Sequence, residues 1–440
     1  MEKIIIDGGN ALHGQVSISG MKNAATPIIF ACIAVDDVCV IENLPRINDV
    51  EIALNLVRSV GGKVRFLTET SVEIDTRGVE PVSAPCDLVR KIRGSYYLIG
   101  AMLARFGRAM VALPGGCDIG ARPIDQHIKA FEALGASVML DSSFIEARTE
   151  TGLCGNHIYF DCVTVGGTIN AILAAVKAKG QTVIENAARE PHVVDVANFL
   201  NYCGANISGA GTGTVKIRGV ERLSGCTYAV IPDMIEAGTF MMAAAATGGR
   251  LYIRGVIPKH LEATSAKMIE MGVSVEEMDD AVLVTRKGPL SPVNIKTLPY
   301  PGFPTDMNPQ VAVLLCLASG VSRLSETVYE NRFRYTEELR RMGAHIQVER
   351  NTAVITGTDV LHGASVRAVD LRAGAAMVIA GLAAEGRTVI DDIFHMERGY
   401  VDMVGKIRSV GGNIRKVVIP VSYDKEDFEN GGSHERDQRF

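Results

Sequence analysis

Six times along this chain an amphipathic segment runs into a glycine and then into a short apolar stretch. The instances are LVRSVGGKV, FEALGASV, FLNYCGANI, KMIEMGVSV, ELRRMGAHI and KIRSVGGNI, with equivalent glycines at Gly61, Gly135, Gly204, Gly272, Gly343 and Gly411. The intervals of 74, 69, 68, 71 and 68 residues define a single repeating unit. A helix that stops on glycine is expected to end in the left-handed conformation, which lacks a steric penalty only where there is no Cβ. The rest of each unit repeats as well. An alanine-rich helix reaches a glycine or acidic turn and then a strand of alternating apolar residues, as in AILAAVKAKGQTVIENAAREP, FMMAAAATGGRLYIRGVIP and MVIAGLAAEGRTVIDDIFHMERG. The unit therefore reads helix, strand, loop, helix, strand, with further strands in the remainder. Alanine and glycine crowd the first helix, which predicts packing on all its sides. Six such units in 440 residues exceed one ordinary core and predict an α/β architecture of stacked repeats, grouped three and three.

A net charge of −5 argues against a general nucleic-acid binder, which would carry a basic excess. The nine cysteines (32, 39, 86, 117, 154, 162, 203, 226 and 316) contain no C-x-x-C pair. That scatter fits neither a zinc site nor a disulfide framework and points to a reducing, cytoplasmic setting. MEKIIID has too short an apolar core for a signal peptide, and no apolar run reaches the roughly eighteen residues that span a bilayer. The charged, aperiodic segment 421–440 is expected to be a disordered tail.

Superposing the repeats places charges at equivalent positions. The alanine-rich helices open near Lys22 and Asn23, Arg93, Thr164 with Gly166, Asp233, Asp306 and Arg372, while the loops after the following strands hold Arg46, Arg122, Arg189, Lys259, Arg332 and Arg398. A cation at a helix start opposes the helix dipole by a few tenths of a kcal/mol, a sign that a bound anion reverses. The set therefore points to a polyanionic small molecule. The alternative is that each arginine pairs with a neighbour: Glu330 with Arg332, Asp370 with Arg372, Glu397 with Arg398. Within LPGGCDIGARP, Cys117 and Arg122 set a thiol and a permanent cation in a glycine- and proline-rich turn. Pro123 is expected to begin a helix over 124–134. Asp306 is either a helix cap or a general base, and His127 and His395 are more often structural in such places. No P-loop is present, so an ATP-driven reaction is not indicated.

SGMKNAATP, LPGGCDIGARPID, NAAREP, IPDMIEAGTF, PGFPTDM, ETVYENRF, DLRAGAA and ERGY together resemble the UDP-N-acetylglucosamine enolpyruvyl transferases over about residues 1–420. The resemblance implies two pseudo-symmetric domains of three βαβαββ repeats each, an inside-out α/β barrel, with the site between them. Their bounds would be 22–230 for the first domain and 1–21 plus 231–420 for the second. It implies transfer of the enolpyruvyl group of phosphoenolpyruvate to the 3-hydroxyl of UDP-N-acetylglucosamine, opening peptidoglycan synthesis, without cofactor or metal. No nucleic-acid or membrane partner is implied. Cys117 would be the proton donor, on a closing loop, and the thiol alkylated by fosfomycin or adding to phosphoenolpyruvate. Lys22, Arg122 and Arg398 would hold phosphate, with Arg332 and Arg372 nearer the carboxylate. Asn23, Arg93, the run Arg122, Pro123, Ile124, Asp125 and Gln126, the run Cys162, Val163, Thr164, Val165 and Gly166, and Thr305, Asp306 and Val328 would contact the sugar nucleotide. Asp306 would also take the 3-hydroxyl proton. Met234, Cys162, Tyr97 and the pair Arg334-Tyr335 depart from residues common in the family. The shikimate-pathway enolpyruvyl transferases share fold and donor but lack the cysteine loop. A weakly catalytic paralogue that binds the UDP-sugar in regulation is the reading from another class.

Overall fold

All six repeat glycines adopt positive φ, between 90° and 102°, so each does close its helix in the left-handed region. The computed structural model describes residues 2–113 and 123–418. Cys117, Arg122 and the tail beyond Pro420 lie outside the described residues.

Five four-stranded sheets and one three-stranded sheet carry the repeats. The third unit shows the pattern. Strand His157–Tyr159 runs parallel to Gln181–Glu185, with core helix Val165–Ala175 as the crossover. Thr214–Arg218 then pairs antiparallel with Gln181–Glu185 and carries Asn206–Ser208 on its other edge. This is the expected βαβαββ order. In the second unit Arg108–Ala112, Phe144–Arg148 and Ser137–Leu140 form the three-stranded sheet, with no entering strand among the described residues.

Three strand exchanges organise the chain. Thr227–Ala229, late in the first half, enters parallel beside Val38–Glu42 in the first unit. His13–Ser17 enters parallel beside Arg250–Arg254. Glu2–Asp7 lies antiparallel between Arg387–Asp391 and Ile414–Val418, supplying the strand that the sixth unit would otherwise lack.

The alanine-rich helices lie inside. Lys22–Val35, Tyr97–Phe106 and Val165–Ala175 pack on one another, as do Met234–Ala246, Asn308–Cys316 and Leu371–Ala383. Every residue of Met234–Ala246 is buried, whereas the outer helix Glu262–Glu270 buries only Thr264, Ser265 and Met268. Small side chains permit the close helix crossings this requires. A Cβ on Gly100 would stand 2.7 Å from the Asn170 carbonyl oxygen, and the Gly100 N–H donates to Asn170 Oδ1 at 3.1 Å.

One helix start differs from expectation. The helix after the cysteine loop is Asp125–Ala133 with Ile124 as its N-cap, so Pro123 precedes the helix instead of entering its first turn. Pro123 fixes the approach of the chain and leaves Ile124 to make the turn.

Candidate active site

Lys22 opens core helix Lys22–Val35, where its charge opposes the dipole. The offset comes from Asp49, in the first turn of the outer helix Asn48–Ser59. Lys22 Nζ lies 2.8 Å from Asp49 Oδ2. Arg398, at the end of the turn Ile393–Arg398 in the other half of the chain, reaches the same carboxylate. Its Nε donates to Oδ1 at 2.9 Å and its Nη2 to Oδ2 at 3.4 Å. Asp49 is thus a buried anion held by one cation from each half.

A second carboxylate, Asp306, sits in the turn Thr305–Met307 ahead of core helix Asn308–Cys316. Arg372 Nη2 and Nε lie 2.9 and 3.0 Å from its Oδ2, and Arg332 Nη2 lies 3.3 Å from its Oδ1. Arg332 also donates to the Thr305 carbonyl through Nε and Nη2, at 3.2 and 3.0 Å. Both arginine side chains are almost fully buried, but that of Asp306 keeps 28% of its surface open, so a ligand can reach it. Burial would raise the Asp306 pKa, but Arg372 and Arg332, with Lys22 adding to them, outweigh it and hold the carboxyl well below the usual range. Lys22 thus acts on both carboxylates. Arg372 stacks over the Tyr400 ring at 5.4 Å, and its buried Nη1 has no hydrogen-bond partner among the described residues.

Neighbour pairing holds for two members of the set, Arg46 with Glu51 at 3.4 Å and Lys259 with Glu262, but not for Arg372 or Arg398. Asp370 caps its own helix, accepting from the Arg372 and Ala373 N–H groups at 2.7 and 2.9 Å. Glu397 pairs with Lys416. The arginines do have carboxylate partners, but these are Asp306 and Asp49, far away in the chain. Asp233 caps its own helix, accepting from the N–H groups of Ile235 and Glu236, and its charge also acts on Arg372.

Two organising residues escaped sequence reasoning. One is Asp49. The other is Glu326, a buried carboxylate that accepts from Thr297 Oγ1, Thr305 Oγ1, Asn308 Nδ2 and the N–H groups of Val328 and Tyr329, at 2.8 to 3.2 Å. It fixes the Thr305–Asp306 turn against the Val328 loop, leaving the Val328 side chain exposed. The only signal available was an acid in ETVYENRF beside residues already singled out.

The first-half residues form their own group. Arg93 begins the turn Arg93–Tyr96 and lies over the Tyr96 ring at 5.5 Å. Its charge, together with the dominant effect of burial, pushes His127 down to about 4. His127 packs so close to Gly166 that a Cβ there would lie 2.7 Å from its Nε2. Gln126 Nε2 donates to Asp125 and Asp161, and its Oε1 accepts the Asp161 N–H at 3.0 Å. Thr164 caps helix Val165–Ala175 through the Gly167 N–H, after exposed Cys162 and Val163. Asn23 and Val165 are half-buried at the openings of their helices. Tyr97, whose pKa is raised mainly by burial, also feels Tyr329 and thereby connects this group with the Glu326 loop.

A family model for EPSP synthase (3-phosphoshikimate 1-carboxyvinyltransferase) matches residues 6–407. UDP-N-acetylglucosamine 1-carboxyvinyltransferase 3 of Caldanaerobacter subterraneus subsp. tengcongensis is 56% identical over 95% of this chain and 100% of its own length. UDP-N-acetylglucosamine 1-carboxyvinyltransferase 2 of Clostridium acetobutylicum is 53% identical over the same shares. Among solved structures, the enolpyruvyl transferase NikO from Streptomyces tendae matches with a TM-score of 0.84 at 27% identity, covering 95% of this chain and 99% of that one. EPSP synthase from Acinetobacter baumannii, at 16% identity and a TM-score of 0.73 over 95% of this chain and all of its own, shares the fold. Repeat architecture, exchanged strands and full-length identity agree: the chain belongs to the EPSP synthase family, on the branch of the UDP-N-acetylglucosamine 1-carboxyvinyltransferases.

Proposed function

We propose that this protein transfers the enolpyruvyl group of phosphoenolpyruvate to the 3-hydroxyl of UDP-N-acetylglucosamine and releases phosphate. The observation that carries the reading is the pair of carboxylate–cation clusters, Asp306 with Arg332 and Arg372, and Asp49 with Lys22 and Arg398. Domains 22–230 and 1–21 with 231–420 are the units on either side of the site, a division supported by the exchanged strands.

In this proposal Lys22, Arg122 and Arg398 take the phosphate, and Arg332 and Arg372 attract the carboxylate through guanidinium edges that Asp306 does not use. Asn23, Arg93, the Arg122–Gln126 segment, the 162–166 segment, Thr305 and Val328 position the sugar nucleotide. The 3-hydroxyl oxygen attacks C2 of the enolpyruvate, its proton passes to Asp306, and Cys117 delivers a proton to C3. Loss of a C3 proton and of phosphate from the tetrahedral ketal then restores the double bond. Fixed cations suit a reaction in which anionic charge must be held while two substrates are oriented. Asp306 is ionised at neutral pH, but the guanidiniums that keep it so also make it a weak base, and it gains basicity as the substrate carboxylate draws on Arg332 and Arg372. Among the described residues no helix is long and apolar enough to cross a membrane.

Phosphate release from phosphoenolpyruvate, measured with UDP-N-acetylglucosamine and in parallel with shikimate 3-phosphate, tests the acceptor. Turnover only with shikimate 3-phosphate would sink the assignment, and silence with both would point to the binding-only paralogue. Fosfomycin is expected to label Cys117 and to leave Cys117→Ser unmodified. Labelling that persisted in that variant would remove Cys117 from its role.

A further inference from the structure

Away from the site, four thiols meet where the first half closes on itself. Cys39 lies on strand Val38–Glu42 and interacts with Cys32, Cys203 and Cys226. Cys226 immediately precedes Thr227–Ala229, the strand that enters beside Val38–Glu42, and its carbonyl accepts the Val40 N–H at 2.9 Å. Cys203 is the C-cap of helix Pro191–Tyr202. Its Sγ stands 3.4 Å from Cys226 Sγ, while both remain free thiols. Cys203 is buried and Cys226 is half-buried, so the pair lies at the edge of the core and not deep within it. No group of His, Cys, Asp and Glu among the described residues is arranged to hold a metal ion, so the cluster is read as thiol chemistry.

We propose that Cys203 and Cys226 form an oxidisable dithiol, with a peroxide as the oxidant. A disulfide needs sulfurs about 2.05 Å apart, so the contact must shorten by a little over an ångström. Both residues can supply that movement, because each sits at the end of an element and not within it. The Cys226 thiolate attacks one peroxide oxygen and becomes a sulfenic acid, and the other oxygen leaves as hydroxide. The Cys203 sulfur then attacks the sulfenic sulfur and water departs. The net change is two thiols and one hydrogen peroxide giving one disulfide and two waters. The bond would fasten the end of helix Pro191–Tyr202 to the strand that closes the first half onto its first unit. It is independent of the transferase chemistry, since neither sulfur belongs to the Asp306 or Asp49 cluster.

The test uses the whole protein carrying Cys117→Ser, so that the loop thiol does not consume oxidant. Hydrogen peroxide is added at strongly alkaline pH, because, against the lowering effect of Cys203, Cys39 and burial push the Cys226 thiol up to about 11 and leave little thiolate nearer neutrality. Remaining thiols are alkylated, and a tryptic digest is mapped by mass spectrometry without reduction. Cleavage after Arg189, Lys216, Arg222 and Arg250 puts Cys203 and Cys226 on separate peptides, while Cys39 falls on a third that ends at Arg46. The expected product is the Cys203–Cys226 linked peptide, two hydrogens lighter than its parts, reversed by dithiothreitol and absent from Cys226→Ser and Cys203→Ser. Full alkylation of both thiols after oxidation overturns the proposal, as does a link that runs through Cys39 instead. Native circular dichroism of each variant before oxidation separates loss of the bond from loss of the fold.

Discussion

Asp306 and Asp49 are both carboxylates between two cations, yet they are assembled differently. Asp306 takes Arg332 and Arg372 from 26 and 66 residues away, all within the second half of the chain. Asp49 joins Lys22 of the first half to Arg398, which is 349 residues distant. The first cluster can form whenever the second half is folded. The second exists only while the halves are together. Burying charge is costly unless the partners are in place, and Asp49, with 5% of its side chain exposed against 28% for Asp306, depends the more on its cations, so the Asp49 cluster ties the two halves together. A substrate phosphate bound to Lys22 and Arg398 would meet a site whose cations Asp49 has already aligned.

The largest effect is expected at Asp306. Asp306→Asn removes the proposed proton acceptor while keeping shape, and kcat should fall by about 10²–10⁴-fold, as loss of a general base does. The chain contains no tryptophan, so sugar-nucleotide binding is best followed by calorimetry. Binding retained with turnover lost places Asp306 in the chemistry. Equal loss of both would make it only a structural counter-ion to Arg332 and Arg372.

Acid separates Asp306 from its surroundings. Its arginines keep it ionised well below neutrality, so it is not the first group to respond as pH falls. The buried histidines His192 and His127 respond before it. Burial lowers each to about 4, and His192 feels Asp306 while His127 feels Arg93. A histidine with a lowered folded pKa binds fewer protons folded than unfolded, so its share of stability is present above pH 6.5 and is lost as pH falls towards 4. That share is at most about 3 kcal/mol for each histidine. Asp195 opposes them: burial raises it to about 6, so its share is lost as pH rises from 3.8 through 6. Glu190 and Glu236, raised by burial, act in the same sense as Asp195, and His260 and His395, lowered by burial, act with the two histidines, so the direction is set by the large shifts of His192 and His127. Urea midpoints should drop from pH 6.5 to 4, and His192→Asn should flatten the slope. An unchanged slope would show that His192 gains a proton without unfolding penalty.

Asp49→Asn is expected to have a smaller, selective effect. Without the carboxylate, Lys22 and Arg398 lose their common alignment, and KM for phosphoenolpyruvate should rise roughly tenfold, or about 1.4 kcal/mol, with little change in kcat. Steady-state kinetics at varied phosphoenolpyruvate checks this. A fall in KM would instead mark Asp49 as a competitor that phosphate must displace.

The repeat was legible because one backbone requirement recurs. A helix ending on a left-handed glycine leaves the same trace at Gly61, Gly135, Gly204, Gly272, Gly343 and Gly411, whatever surrounds it. Of the cations read as a set, Lys22, Arg332, Arg372 and Arg398 do gather at the two carboxylates, whereas Arg46 and Lys259 pair locally with Glu51 and Glu262. The partners of Arg372 and Arg398 were not legible. Sequence proximity suggested Asp370 for Arg372, but a residue at a helix N-cap spends its oxygen on backbone N–H groups. The carboxylate that Arg398 does use comes from the other end of the chain, and no local pattern marks it. Glu326 was hidden for a related reason. Its five hydrogen bonds converge from three loop segments, and its immediate neighbours show nothing unusual.

A surface pair sharpens the contrast by removing burial while keeping contact. Arg65 forks onto Glu73, with Nε 3.2 Å from Oε1 and Nη2 3.0 Å from Oε2, across neighbouring strands. Those distances match the Arg372–Asp306 contacts, and the geometry of the fork is, if anything, better. But the Arg65 side chain is 69% exposed, against 3% for Arg372. Water already solvates both groups and salt screens them, so little is gained by pairing and little is lost by separation. Arg65→Ala should therefore leave the urea midpoint where it is, at low and at high salt. A clear salt-sensitive drop would mean that contact distance alone governs these pairs, and the difference drawn between the Asp306 cluster and an ordinary surface ion pair would go with it.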